Sequence, residues 1–258
     1  MPKIDKKPIC TNIVEAVLFY KKNVTWSQPW KVSMPVNFIT GEHYKDLICL
    51  SDSKYWVTEE QLQELGGKPK EGKLGNYRKS IKMFNLADCV GVKIPKLAAP
   101  KKYSNCAKIV SDYLDQSSIE LQLDFTATFY NRAFDLIRIP SMDCFSSPEL
   151  YYASIYHELV HSTAHKRRLN RFKSKLPKFG TREYEEEELV AELGSCILCA
   201  YMNISFNTFE HQLSYIANIL RNILQDGRIK NKEVYKKKIV EKSMIQAQIA
   251  VDYILSVK

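Results

Sequence analysis

The 258-residue sequence has no apolar run approaching the ~20 residues that cross a bilayer, which excludes a membrane-spanning helix. Its first eight residues, Met-Pro-Lys-Ile-Asp-Lys-Lys-Pro, lead into mixed polar sequence. No secretory signal is read there, and the cytoplasm is the expected compartment, with no membrane partner. Internal repeats are absent, and so is a disulfide framework. The seven cysteines are odd in number and scattered from Cys10 to Cys199, as reduced thiols would be. Cys196 and Cys199 form a CxxC, but no second pair stands at zinc-finger spacing. Both lie in an apolar stretch, Gly194 to Met202, where two buried thiols are a simpler reading than a redox pair.

What is present describes a globular protein. Hydrophobic residues make up 45% and charged residues 26%, enough to bury a sizeable core and to exclude disorder of the whole chain. At roughly 150 residues per domain, the length allows one large domain or two small ones. Net charge is +9, and residues 1–100 carry 16 Lys/Arg against 10 Asp/Glu. A basic excess concentrated in the first part of the chain favours polyanionic partners through counterion release.

The apolar spacing of Ile13, Val14, Val17 and Leu18 predicts an opening helix over Cys10 to Tyr20. Thr58, with Gln61 three residues on, has the form of a capping box ahead of Leu62 and Leu65. Tyr77 to Leu86 reads as a strand. The Pro- and Lys-containing stretch Val92 to Lys102 is the linker candidate. Beyond it, Tyr103 to Leu114 reads as a helix. Glu120 to Phe125 and Phe134 to Ile139 read as strands with a turn at Asn131-Arg132 between them. Helices follow over Pro148 to His165, Tyr184 to Tyr201, Thr208 to Gln225 and Lys232 to Leu255. The expected fold class is α+β: a small mixed N-terminal domain over residues 1–95, then a helix-rich domain over 101–258.

His157-Glu158-Leu159-Val160-His161 is an HExxH. With 5 histidines in the chain, chance supplies this pattern in roughly one such sequence in 150. Ser147 can cap its helix, Pro148 stands at the first helical position, and Glu149 favours the positive end of the dipole. Residues four apart share a helical face, so His157 and His161 can reach one zinc ion. Glu158 then faces the open coordination position and can take a proton from water activated by the ion. A catalytic zinc needs a third protein ligand, and Glu188, 27 residues after His161, is the candidate. It flanks an apolar side made by Leu189, Val190 and Leu193, where a carboxylate is costly unless paired or bound to metal. Glu192, four residues on, would accept from the outer ring nitrogen of a ligand histidine; the alternative places Glu192 itself on the metal. Glu185 and Glu186 read as solvated face. His165, beside Lys166-Arg167-Arg168, reads as a helix-terminal histidine rather than a fourth ligand. His211 and Tyr215, one turn apart on a later helix, are candidates for contacting a tetrahedral intermediate, with a packed surface histidine as the simpler reading of His211.

The run Ser154-Ile-Tyr-His-Glu-Leu-Val-His-Ser-Thr-Ala-His165, with Arg168-Leu-Asn-Arg171 and Tyr184 to Glu192, resembles the zincin-like domain of ArdC-type antirestriction proteins. Asp135 to Pro140, Phe145, Tyr151-Tyr152, His211 to Ile216 and Ala247 to Ile254 fit the same pattern. Trp26-Ser-Gln-Pro-Trp30, Pro35-Val-Asn37, Thr40-Gly41, Tyr44, Trp56 to Gln61 and Phe84-Asn85 resemble that family's single-stranded-DNA-binding domain. This chain has Lys45-Asp46-Leu47 where the family usually has Gly and Asn after the tyrosine, and it is shorter between Gly75 and Phe84. The resemblance implies a cytoplasmic, plasmid- or mobile-element-encoded protein that binds single-stranded DNA and protects incoming DNA from restriction. It also implies a peptidase-like domain with one Zn2+ per chain, for which Mn2+ is an alternative, and a protein substrate.

The residues themselves add a modest argument for nucleic acid. Trp26, Trp30 and Trp56 are interleaved with Lys21, Lys22, Lys31 and Lys54. Aromatic platforms with nearby cations suit stacking on unpaired bases, at about 1–3 kcal/mol per base. The competing reading makes these tryptophans the core of a small domain. Two other functions compete: a DNA-protecting binding protein whose metal is structural or vestigial, and a peptidase without DNA binding.

Overall fold

The structure, a computed structural model, describes residues 7–20, 36–40, 44, 55–78, 80–92, 101–124, 127–172 and 177–256. In chain order its elements are α1 (Lys7–Phe19), β1 (Val36–Asn37), β2 (Tyr55–Thr58), α2 (Glu59–Glu64), β3 (Lys68–Pro69), β4 (Asn76–Arg78), β5 (Ile81–Asn85) and β6 (Cys89–Val90). Then come α3 (Ser104–Ser117), β7 (Glu120–Leu123), β8 (Phe129–Asn131), β9 (Leu136–Ile139), α4 (Pro148–Thr163), α5 (Arg182–Tyr201), α6 (Ser205–Leu224) and α7 (Lys232–Ser256). The fold is α+β with a helix-rich C-terminal region. Most of the linker candidate lies outside the described residues.

The small sheet has the order β1-β2-β5-β4 and is antiparallel except for the β1–β2 pair. Both of its faces are covered. Val57, Leu62, Phe84, Leu86 and Cys89 form one cluster, and Trp56 packs with Tyr44 and Met83 in another. Adjacent strand residues point to opposite faces, so Trp56 and Val57 serve different clusters. The capping box at α2 is complete, with Thr58 Oγ1 accepting from the Gln61 amide and Gln61 Oε1 accepting from the Thr58 amide. The Tyr77 to Leu86 stretch is a hairpin rather than one strand; Ser80, at φ 70°, turns β4 back along β5. Of the expected unit 1–95, this sheet segment has its own clusters, whereas α1 contributes Cys10, Ile13 and Val17 to the large C-terminal core.

That large core is organised around α5. Every residue from Glu187 to Cys199 is buried, so the helix is enclosed on all sides and shows little amphipathic periodicity. α1, α4, α6 and α7 all pack on it. Its approach to α4 is close: a Cβ on Gly194 would stand 2.6 Å from a Val160 methyl. Ser195 Oγ donates to the Ala153 carbonyl at 2.7 Å, tying the two helices further. Thr181 caps α5 by accepting from the Tyr184 amide, and Ser147 caps α4 by accepting from the Leu150 amide.

The second sheet has the order β7-β9-β8, with β7 parallel and β8 antiparallel to β9. The Phe134 to Ile139 stretch, read as a strand, is β9 only over Leu136–Ile139. Among the described residues β9 is paired on both sides, because the short strand β8 covers it, and β8 is an edge. An ion-pair cluster anchors this sheet to the end of α4. Arg168 binds Asp135 through both terminal nitrogens and donates to Tyr130 Oη at 2.9 Å and the Ser162 carbonyl at 2.7 Å. Tyr130 Oη donates to Asp135 Oδ1 at 2.6 Å.

Burial opposes ionisation of Asp135, but Arg168 and Tyr130 outweigh it and hold the carboxyl below its ordinary value. Its contribution to stability is therefore present above that ordinary value, near 3.8, and lost as pH falls through the lower folded value. Asp135 has φ 51°, which asparagine tolerates equally, so Asp135→Asn isolates the charge. The substitution is expected to cost about 3 kcal/mol at neutral pH by leaving Arg168 buried without its counter-ion. In thermal melts from pH 7 to pH 2, the gap between the variant and the parent protein should narrow only at the acid end.

Candidate metal centre

His157 and His161 stand on consecutive turns of α4, and Glu188 faces them from the second turn of α5. Their ligand atoms lie within 4.8 Å of one another. His157 Nε2 and His161 Nε2 are 3.0 Å apart. Glu188 Oε2 is 3.4 Å from the first ring and Oε1 is 3.4 Å from the second.

The outer ring nitrogens explain why the inner ones face each other. His157 Nδ1 is 2.7 Å from Glu192 Oε2, and His161 Nδ1 is 3.3 Å from Glu187 Oε1. Each carboxylate accepts the Nδ1 proton, which leaves both Nε2 atoms as bare acceptors in the neutral tautomer. Two lone pairs aimed at the same space repel unless a cation lies between them. The spacing fits such an ion: two ligands ~2.0–2.1 Å from a tetrahedral metal are about 3.4 Å apart. The donor set of two imidazoles and one carboxylate therefore suits a divalent ion such as zinc.

The charges point the same way. Burial lowers the basicity of both rings, yet the neighbouring glutamates prevail and raise it, for His161 to about 9. The rings in turn hold the Glu188 carboxyl well below the carboxylate range despite its burial. Glu192 occupies the outer nitrogen of His157, and Glu188 shares the space between the rings.

Glu158 is 5% exposed. Burial raises its pKa, partly offset by the two histidines and by a hydrogen bond from the Tyr130 backbone. A carboxyl tuned upward in a cleft is suited to receiving and returning a proton. Tyr215 Oη donates to Glu188 Oε2 at 3.0 Å, so its hydroxyl lies at the carboxylate itself. His211 is half-buried and lines the same cavity, of about 430 Å³. Thr128, Tyr130, Arg132, Phe172 and Tyr184 form more of its wall.

His165 stands apart from the trio. It is buried, and its Nδ1 accepts from the Arg167 amide at 3.2 Å. The CxxC thiols are buried inside α5, and burial pushes Cys199 up to about 12. Two functional neighbours escaped the sequence reading. Glu187, one of the four-acid run, is bound by Arg171 through Nε at 3.2 Å and through Nη2. Arg171 also donates to the Val160 carbonyl at 3.0 Å, so a buried ion pair steadies the second histidine. Arg171 stands in the run Arg168-Leu-Asn-Arg171, ten residues after the HExxH, with nothing local to tie it to Glu187.

The nucleic-acid candidates fare differently. Trp26, Trp30, Lys31 and Lys54 lie outside the described residues. Trp56 is 3% exposed and packed against Tyr44 and Met83. Its proposed role as a stacking platform is corrected: with both ring faces buried, it is a core residue of the small sheet.

Residues 108–232 match the model of the MPTase-PolyVal family, described as a zincin-like metallopeptidase. The chain is 22% identical over 247 residues to uncharacterized protein y4eC of Sinorhizobium fredii, covering 79% of this chain and 80% of the relative. It is 24% identical over 275 residues to a DNA primase TraC of Escherichia coli, covering 86% of this chain and 25% of that protein. The chain thus spans about a quarter of the length of that primase. Among solved structures, the Mn(II)-bound antirestriction ArdC protein from plasmid R388 matches at 23% identity, 98% coverage of each chain and a TM-score of 0.43. Residues 108–232, just under half of the chain, are thus similar to zincin-like metallopeptidases.

Proposed function

We propose that the protein is an antirestriction protein of a mobile genetic element, with a metal-dependent, peptidase-like domain and an N-terminal part that binds single-stranded DNA. The two functional units are read as residues 1–95 and 101–258, with α1 lent to the second. The observation that carries the peptidase reading is the convergence of two imidazole nitrogens and the Glu188 carboxylate at tetrahedral spacing beside a buried glutamate. His157, His161 and Glu188 would hold Zn2+, or Mn2+ in its place, and the bound ion would polarise a peptide carbonyl and acidify water. Glu158 would take a proton from the attacking water and return it to the leaving amine. Glu192 and Glu187 keep the two rings turned, and Tyr215 fixes the carboxylate oxygen it touches. His211 stands where it can meet a substrate oxygen.

The DNA reading rests on the basic excess of the first hundred residues and on the resemblance to the ArdC pattern. With Trp56 enclosed, an aromatic that the small sheet leaves open is Tyr77, 70% exposed and opposite Lys82 across β4 and β5. The alternative, a DNA protector whose metal is structural, keeps this part and dispenses with hydrolysis.

Glu158→Gln is expected to retain one metal ion per chain and to lower peptide hydrolysis by at least about 100-fold. Retained cleavage of a casein substrate would remove the proton-transfer role, while intact protection against restriction in the same variant would favour the alternative. Glu192→Gln should weaken zinc affinity by roughly 10–100-fold with an unchanged fold, measured by chelator competition and circular dichroism. For DNA, Tyr77→Ala should weaken binding to an oligo-dT in fluorescence anisotropy, with affinity falling steeply as salt rises. A flat salt response, or no binding, would discard the DNA assignment.

A further inference from the structure

The wall of the metal cleft carries a cation that the proposed chemistry does not use. Arg132 follows the edge strand β8 and lines the cavity together with Thr128, Phe129 and Tyr130. Its guanidinium carbon stands 5.2 Å from the centre of the Phe172 ring. Its Nη1 atom is buried without a hydrogen-bond partner among the described residues, and so is the hydroxyl of Thr128.

Other arginines around this sheet differ from it. Arg168 is engaged by Asp135, and Arg138 donates to Gln122 and stands 3.8 Å from Asp124. The acids of the cleft are also engaged: Glu187 by Arg171 and His161, Glu192 by His157, Glu188 by the two rings and Tyr215, and Glu158 by the Tyr130 backbone. Arg132 therefore presents an uncompensated guanidinium backed by an aromatic face. A planar fork of this kind matches an anionic group bidentately.

We propose that Arg132 forms a subsite that receives an anionic side chain, the carboxylate of Asp or Glu, of a peptide lying along β8. The assignment rests on the peptidase reading. β8 pairs with β9 on one side, so an extended chain can add to its other edge by backbone hydrogen bonds. Arg132, just past the last residue of the strand, would then fix where along that chain the acidic residue falls and which bond reaches the metal.

The test is cleavage of a peptide library, randomised at each position with Glu, Gln, Lys and phosphoserine, by the zinc-loaded protein, by Arg132→Gln and by Arg132→Glu. Binding of the same peptides to Glu158→Gln is measured in parallel. The expected result is a preference of at least about tenfold in kcat/KM for Glu over Gln and Lys at one position. Arg132→Gln should lose that preference, and Arg132→Glu should favour Lys there. Phosphoserine preferred over Glu by a similar factor would replace the carboxylate with a phosphate as the natural group. Cleavage without acidic preference, or a preference unchanged in Arg132→Gln, would overturn the subsite and leave the peptidase reading standing. Peptides neither cut nor bound would overturn both. Competition of bound peptide by oligo-dT that disappears in Arg132→Gln would transfer the subsite to nucleic acid.

Discussion

The close contact between α4 and α5 is the constraint on which the centre depends. Two imidazoles on one helix are held in order by the i, i+4 repeat, but the carboxylate arrives from another helix and its distance is set by packing alone. The absence of a side chain at Gly194 lets α5 press against Val160, and Ser195 fastens it to the Ala153 carbonyl. Separating the two helices would carry the Glu188 carboxylate away from both nitrogens together. The core thus serves as the calibration of the site: its tight packing transmits position from the helix middle to the ligand atoms one or two turns away.

Around that contact the polar groups are arranged in pairs. Each histidine has a glutamate behind it, and one of those glutamates has an arginine behind it in turn. Burial would make each group costly in isolation. Together they form a chain of opposite charges whose surplus is negative at the centre, the sign that a divalent cation neutralises. The Asp135, Arg168 and Tyr130 cluster performs a related task at the C-terminal end of α4, fixing β8 beside the cleft so that its backbone meets Glu158.

The legible parts of the sequence were those governed by local rules. The caps at Thr58 and Ser147, and the spacing of the HExxH, follow from hydrogen-bond geometry within a few residues, and the helices fall close to where that geometry puts them. The partners of the histidines were harder to read. Glu188 and Glu192 were singled out by the apolar side they flank, whereas Glu187 was not: an acidic run looks solvated, yet Glu187 is buried because α5 is enclosed on all sides, a property of the assembled core. β8 was missed because three residues carry too little alternation to stand out. Trp56 was misread because an aromatic among lysines suits either a binding platform or a core, and only the pairing of β2 with β5 decides which.

The CxxC on α5 acquires meaning from where it is enclosed. Cys196 lies one turn beyond Glu192, yet burial keeps its thiol protonated well above the ordinary range. A thiolate so near would have made this a soft site, selective for late transition ions and prone to oxidation. Locking the sulfur away leaves only nitrogen and oxygen donors, a palette compatible with both a borderline ion and a harder one. The identity of the ion in a cell would then follow from supply rather than from the pocket's chemical preference.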